Sequence, residues 1–280
     1  MPQYTDKETI REHYDRVSPY YRDFWGEHIH HGYWIRGDET KEEAQTQLTE
    51  HLATVARIPR GAMVLDVGCG YGGSSIYLAQ KYGAQATGIT ISPVQVEMAS
   101  KAAERAGASA KFVCMDAEAM TFREPFDVVW SVESISHYPN YQKFFASATK
   151  LVKPGGTMAV IDWFKKDGLT PREHKKQLEP IEKGMMIELH TMGEYERLMA
   201  ENGLHIETTE VMNKECARSW DIGLEIIKQK SFWTMAAGMG VAFVDFLKAF
   251  KAMRAGFKSG NFVYGLIVAR KPCADASENR

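Results

Sequence analysis

Short apolar runs alternate with amphipathic segments along the first two thirds of this chain. Val64 to Val67 is apolar and breaks at a glycine-rich turn, Gly68 to Gly73. Ser74 to Tyr82 follows, with Ile76, Tyr77 and Leu78 beside small Ala79, the pattern of a helix resting on a sheet. Ala86 to Thr90 is apolar again, so the unit reads strand, tight turn, helix, strand. The alternation continues with a helix over Ser92 to Ala106, where Ser92 and Pro93 supply the N-cap and first turn. Ala110 to Met115 is a third strand and Phe126 opens a fourth. A helix over Asn140 to Val152, a Lys153-Pro154-Gly155-Gly156 turn and a fifth strand over Thr157 to Asp162 come next. Upstream, Thr5 to Phe24 and Thr40 to Arg57 read as helices. This order predicts an α/β fold around a largely parallel sheet.

Past strand five the pattern loosens. Thr170 to Leu189 is a charged insertion containing methionine, and Thr191 to Asn202 is a helix with Gly203 as its C-cap. Leu204 to Met212 is a sixth strand and Phe262 to Ala269 a seventh. Between them Ala217 to Phe257 reads as long and helical, carrying Trp220, Phe232, Trp233, Met235, Met239, Phe243, Phe246, Leu247 and Phe250. Such a stripe predicts first of all helices burying one face, with the roof of a pocket for a bulky apolar ligand as the second reading.

Composition narrows the class. Hydrophobic residues at 44% and charged residues at 25% suit a globular protein, and a net charge of −2 gives no argument for nucleic acid or an anionic membrane. No basic stripe stands out. Cys69, Cys114, Cys216 and Cys273 are scattered, without zinc-like or secreted spacing. No signal peptide and no membrane-spanning run is expected, so the cytoplasm is the expected compartment. Cys273 to Arg280 is expected to be a disordered tail.

The glycine turn poses the first chemical question. Gly68, Gly70 and Gly73 fit a loose G-x-G-x-x-G, and such turns let backbone approach a nucleotide beyond the strand ends. A dinucleotide site calls for an acidic residue about twenty positions on. Gly88-Ile89-Thr90-Ile91-Ser92 has none there. Asp66 stands before the glycines instead, and an Asp116-Ala117 pair follows the third strand. That set resembles the S-adenosylmethionine-dependent methyltransferases of the Rossmann-like class. The aromatic stretch Trp25-Gly26-Glu27-His28-Ile29-His30-His31-Gly32-Tyr33-Trp34 adds three histidines. Adjacent His30 and His31 are poorly placed as two ligands of one metal, so no metal site is expected. An aromatic lid with a histidine for proton transfer, His31, is one reading. Simple packing of this arm on the sheet is the other.

Together with Gly88-Ile89-Thr90-Ile91-Ser92-Pro93-Val94-Gln95, this stretch resembles the tocopherol C-methyltransferase family. Its relatives include plant alkaloid N-methyltransferases and, more distantly, sterol and antibiotic-sugar methyltransferases. The likeness covers about residues 14 to 165, with an echo at Asn261 to Pro272. It implies a Rossmann-like seven-stranded methyltransferase sheet with a helical cap. The lid would span 1–60, the cofactor-binding core 61–165, the rest of the core with the cap 166–257, the final strand 258–272 and the tail 273–280. It implies S-adenosylmethionine as methyl donor, with S-adenosylhomocysteine as product. In this group Thr90 and Gln95 stand for the usual acid after strand two, and Asp116 with Ala117 meets the adenine. The expected cofactor set is Tyr21, Asp66, Gly68, Gly70, Thr90, Gln95, Asp116, Ala117 and Ser131. Glu133 and His137, just past strand four, match an acid and a histidine of the family and are the expected catalytic pair beside His31. Lys153 to Gly156 is a family feature, and Trp163-Phe164-Lys165-Lys166-Asp167 after strand five matches a Trp-plus-basic pattern.

The donor's methyl sits on a sulfonium, so transfer is an in-line displacement governed by alignment. An amine acceptor must be neutral and a phenol benefits from losing a proton, so a base is optional for some acceptors. Tyr20, Tyr21 or Trp34 would suit a cation–π contact to the sulfonium. The expected acceptor is a small lipophilic aromatic, quinol or alkaloid-like molecule methylated at C, N or O, with a sterol, terpenoid or sugar hydroxyl as the alternative. A dehydrogenase is disfavoured by the missing acid and by the lack of Tyr-x-x-x-Lys after strand four. A non-catalytic binding protein is disfavoured by the intact glycine turn with Asp116, Glu133 and His137. Nucleic acid is not an expected partner, because Ser131-Val132-Glu133-Ser134 replaces the Asn/Asp-Pro-Pro-aromatic motif.

Overall fold

The computed structural model describes residues 5–229, 232–233 and 241–273, with backbone alone for 241–243. Its centre is a seven-stranded sheet in the order β3-β2-β1-β4-β5-β7-β6. The strands are β1 Met63–Val67, β2 Gln85–Thr90, β3 Ala110–Cys114, β4 Phe126–Val132, β5 Val152–Lys165, β6 His205–Val211 and β7 Phe262–Arg270. The first five pair in parallel, while β7 runs antiparallel to both β5 and β6. The order turns back on either side of β1 and β4, which places a crevice beyond the carboxyl ends of those strands.

Helices cover both faces. α1 (Lys7–Trp25) starts at Asp6, whose carboxylate accepts the Thr9 N–H, and runs through Pro19. α2 (Lys41–Val55) opens with a capping box between Thr40 and Glu43. Its Leu48 and Leu52 join Val64, Leu78, Trp130 and Ile161 in one core layer. α3 (Gly73–Tyr82) and α4 (Pro93–Ala106) follow their strands as expected, with Ser92 accepting the Gln95 N–H at the α4 cap. α5 (Tyr141–Ala148) buries Phe144 and Phe145 on the other face, against Val129, Met158 and Val160.

Three expectations about element bounds are corrected. The helix expected to reach Val152 ends at Ala148, because β5 already begins at Val152. Lys153-Pro154-Gly155-Gly156 lies inside β5 rather than before it. The register slips there between Phe126 and Val128, and Gly155 takes φ +76°. Trp163 to Lys165 likewise belong to the strand.

The region before the last strands is a series of separate helices rather than one continuous one. The insertion forms α6 (Pro171–Gln177) and α7 (Glu179–Met185), and α8 (Met192–Glu201) precedes β6. α9 (Asn213–Cys216) and α10 (Arg218–Ile227) follow, and Val241–Ser259 forms α11, which packs on α7. Met235, Met239 and the tail from Ala274 lie outside the described residues, as does the Phe243 side chain. Among the described residues no helix is long and apolar enough to cross a membrane.

Candidate functional site

A cavity of about 210 Å³ lies beyond the carboxyl ends of β1 to β4, between the sheet and α1. Eight of the nine expected cofactor residues line it: Tyr21, Asp66, Gly68, Gly70, Thr90, Gln95, Asp116 and Ala117. Ser131 is set back. Its hydroxyl is buried 3.2 Å from that of Ser134, and Ser134 is the residue on the wall.

The glycine turn is shaped by close approach. Gly68 takes φ +76°, and a Cβ there would run into the Ser134 side chain. Gly73 could not carry a Cβ either, since one would fall 2.6 Å from the Glu27 carbonyl oxygen and 2.7 Å from His28 Nδ1. The loop after α1 therefore rests directly on the turn. Beneath it Asp66 accepts a 2.6 Å hydrogen bond from Ser75, and burial raises its pKa to about 6. The Thr90 hydroxyl donates to Gln95 Oε1 at 2.7 Å, and Gln95 Nε2 donates to Ser18 of α1 at 3.2 Å. Asp116 accepts the Glu118 N–H and pairs with Lys7 Nζ at 2.7 Å, while Lys7 also meets Glu118 at 2.6 Å. Burial works against the Asp116 charge, but Lys7 and the Glu118 N–H hold its pKa below the ordinary value.

Farther along the cavity, two polar clusters face an apolar wall. In the first, His137 sits in a short 3-10 turn, Ile135–His137, and its Nδ1 lies 3.0 Å from the Met186 carbonyl oxygen. A carbonyl only accepts, so Nδ1 carries the proton. The Nε2 lone pair of the neutral ring then accepts from the Tyr14 hydroxyl at 3.0 Å. Burial lowers the His137 pKa to about 4 and pushes the Tyr14 hydroxyl well up. Asp162 holds the turn in place. It accepts from Ser136 N and Ser136 Oγ at 3.0 Å, from Trp163 N at 2.8 Å and from Tyr195 at 3.3 Å. Burial raises the Asp162 pKa to about 7.

In the second cluster, Glu133 takes φ +51°, a left-handed conformation that a glutamate rarely adopts. Its Oε1 accepts from His31 N at 2.7 Å, His31 Nδ1 at 2.8 Å and the Tyr264 hydroxyl at 2.6 Å. Burial opposes its ionisation, yet His31, His30 and the Tyr264 hydroxyl hold its pKa below the ordinary value. The His31 ring is boxed by Trp220 at 4.5 Å, Tyr264 at 4.6 Å, and Trp163 and Phe257 at 5.9 Å. Its Nε2 is buried without a hydrogen-bond partner among the described residues.

Sequence reading therefore named Glu133, His137 and His31 but missed what they touch. Tyr14, Met186 and Tyr264 lie 49 to 131 positions from those partners, and Asp162 lies 26 positions from the Ser136 it holds. No local pattern joins them. Of the aromatics expected near a sulfonium, only Tyr21 lines the cavity. Tyr20 is half exposed, and Trp34 is buried with its indole N–H donating to the Glu39 carbonyl. His30 uses Nδ1 on the His31 carbonyl and Nε2 on His28. Among the described residues no group of three or more His, Cys, Asp or Glu is placed to hold a metal ion.

Residues 2–259 match the family described as mycolic acid cyclopropane synthetase. The chain belongs to that family. It is a methyltransferase, and its cofactor is S-adenosylmethionine. A 27-O-demethylrifamycin SV methyltransferase of Amycolatopsis mediterranei is 32% identical over 267 residues, covering 94% of this chain and 97% of that protein. A probable chloroplastic tocopherol O-methyltransferase of Oryza sativa subsp. japonica is 31% identical over 290 residues, covering 95% of this chain and 78% of that one. The resemblance to tocopherol methyltransferases read from the residues is thus borne out. A mycolic acid cyclopropane synthase complexed with SAH and CTAB superposes with a TM-score of 0.84 at 20% identity, over 96% of this chain and 99% of the other. At that identity the likeness speaks for the fold, a Rossmann-like methyltransferase sheet as expected.

Proposed function

We propose that this methyltransferase acts on a small lipophilic acceptor with an aromatic hydroxyl or quinol group, in specialised metabolism. One observation carries the reading. The cavity that begins at the glycine turn continues, past the Tyr14–His137 pair, to a wall of Tyr21, Phe24, Phe232, Phe246 and Phe250. The named substrates of the relatives, a tocopherol and a rifamycin, agree in kind.

The fit of the cofactor rests on the turn, where Gly68 and Gly70 take positive φ and leave backbone open to a ligand. The Thr90 hydroxyl, the Gln95 amide and the Asp116 carboxylate would meet its polar groups, with Asp66 behind the turn. When bound, the cofactor supplies an electrophilic methyl group on a sulfonium. The chain's own part is alignment and control of one proton. The Met186 carbonyl fixes the tautomer of His137, so Nε2 is the basic atom and Tyr14 its partner on the acceptor side. A base with a pKa of about 4 does not strip a resting phenol, so the proton moves to it only as the methyl is transferred. Glu133, fixed by His31 and Tyr264, keeps a negative charge on the cavity lining, where it would favour a cationic methyl donor. Apolar side chains exclude the water that would compete as acceptor.

Within the segment 1–60, α1 and the loop to His31 act as the lid, while α2 packs into the core. We place the enzyme in a reducing compartment such as the cytoplasm, a reading supported by four unpaired cysteines.

Calorimetric titration with S-adenosylhomocysteine beside NADH, followed by labelled methyl transfer to a panel of phenols, quinols and indole-type amines, tests this reading. Micromolar binding of S-adenosylhomocysteine alone and transfer to quinols or phenols are expected. Transfer to amines alone, or NADH binding, would overturn it.

A further inference from the structure

The proton step described above leaves two polar side chains of the cavity without a task. His13 and Tyr21 stand on α1, about two helical turns apart, and both line the cavity. Their rings meet edge to face, with centroids 6.3 Å apart. Neither the His13 imidazole nor the Tyr21 hydroxyl has a hydrogen-bond partner among the described residues.

Ring contacts fix where these two groups sit. On one side the His13 ring lies 5.4 Å from Tyr14, whose hydroxyl donates to His137. On the other the Tyr21 ring stacks on Phe246 at 6.3 Å, and Phe246 meets Phe250 at 4.8 Å. His13 and Tyr21 therefore stand between the Tyr14–His137 pair and the apolar wall, in one unbroken run of cavity-lining rings. Burial, with His137 and Arg16 adding to it, lowers the His13 pKa to about 4. The ring is neutral near pH 7 and offers one N–H and one bare nitrogen. Burial pushes the Tyr21 hydroxyl well up, so it keeps its proton as a donor.

We propose that His13 and Tyr21 set the specificity of the acceptor site by binding a second oxygen on the acceptor, while its reacting hydroxyl faces Tyr14 and His137. An acceptor bulky enough to fill the apolar end excludes water from it. One that carries no oxygen at this point then strands an imidazole and a hydroxyl against apolar surface. Sites that hydrogen-bond a substrate oxygen reject the analogue lacking it far more sharply than apolar pockets reject a missing methylene. An imidazole beside a phenol supplies donors and an acceptor, so a hydroxyl or an ether oxygen is served alike. The inference rests on the phenolic-acceptor reading above, and its test tells the two apart.

The test is steady-state methyl transfer to a prenylated hydroquinone and to the same prenylated phenol without the second hydroxyl. Parent, His13→Leu, His13→Gln and Tyr21→Phe enzymes are compared, with thermal melts and calorimetric S-adenosylhomocysteine affinity beside them. The parent should show a KM about tenfold or more lower for the hydroquinone. His13→Leu should bring the ratio of the two KM values to within about twofold of one, and Tyr21→Phe should reduce it by about threefold. His13→Gln keeps a donor and an acceptor and should retain part of the preference. If His13→Leu does not fold, the other three proteins decide. Equal KM values in the parent, or a preference that survives His13→Leu or both milder variants intact, would overturn the proposal and leave the proposed function standing. A His13→Leu protein that melts like the parent but loses S-adenosylhomocysteine affinity about tenfold would also overturn it, by placing His13 at the cofactor. Transfer to amines and to neither phenol would overturn both readings together.

Discussion

The two ends of the cavity are built in opposite ways. At the cofactor end the wall is built on backbone and short-range pairing, the glycine turn, Thr90 with Gln95 five residues on, and Asp116 capping the turn behind β3, to which α1 adds Ser18 on Gln95 and Lys7 on Asp116. At the acceptor end nearly every contact joins distant segments: Tyr14 with His137, His31 and Tyr264 with Glu133, Met186 with His137. Local construction fixes one ligand. Assembly from the insertion and the last helices lets the other end be reshaped without disturbing the first, while α1 spans both.

Several variants would break or sharpen that contrast. The largest effect is expected at the Tyr14–His137 pair. His137→Asn should lower kcat for a phenolic acceptor by about 10²–10⁴-fold, with Tyr14→Phe following in the same direction. S-adenosylhomocysteine affinity, read by calorimetry, should stay unchanged, because neither side chain belongs to the glycine-turn end. An equal loss of cofactor affinity would show that the two ends are one unit. Gly68→Ala should do the reverse and weaken S-adenosylhomocysteine binding by about 100-fold, through positive-φ strain and collision with Ser134.

Asp162 offers a smaller effect with a pH signature. Both of its oxygens accept hydrogen bonds, so Asp162→Asn turns a donor toward other donors and should cost about 2–3 kcal/mol in chemical denaturation. Burial raises its pKa from an ordinary 3.8 to about 7, so the folded chain holds the extra proton between those values. Its contribution is therefore fully present below about pH 4 and is lost as pH rises through about 7. Buried His137 titrates in the opposite sense, its contribution lost as pH falls from 6.5 through about 4. The wild-type minus Asp162→Asn difference isolates the aspartate and should shrink between about pH 4 and pH 7. Smallest of all, Phe246→Ala should raise the acceptor KM about tenfold and leave the cofactor alone.

The same contrast explains what the sequence made legible. The strands and the glycine turn follow from local periodicity and turn chemistry, while the expected cofactor residues could be named one by one only through the family resemblance. Ser131 could not be told from Ser134, because which of two nearby hydroxyls reaches the cavity depends on how the chain leaves β4. The insertion 170–189 shows no usable periodicity, yet it supplies the Met186 carbonyl that sets the His137 tautomer. The stripe from Trp220 to Phe250 is visible, and the polar run Lys228-Gln229-Lys230-Ser231 marks the end of its first helix at Ile227, which the expectation of one long helical stretch passed over.

The central claim is that one cavity joins a methyl donor at the glycine turn to a lipophilic acceptor at the aromatic wall. Steady-state methyl transfer to a matched pair of quinols, with and without a prenyl tail, tests it most directly, in parent and Phe246→Ala enzyme. The account predicts a lower KM for the tailed quinol at similar kcat, with the advantage shrinking in Phe246→Ala. A tail that brings no advantage in the parent, or one that survives the substitution intact, would contradict it.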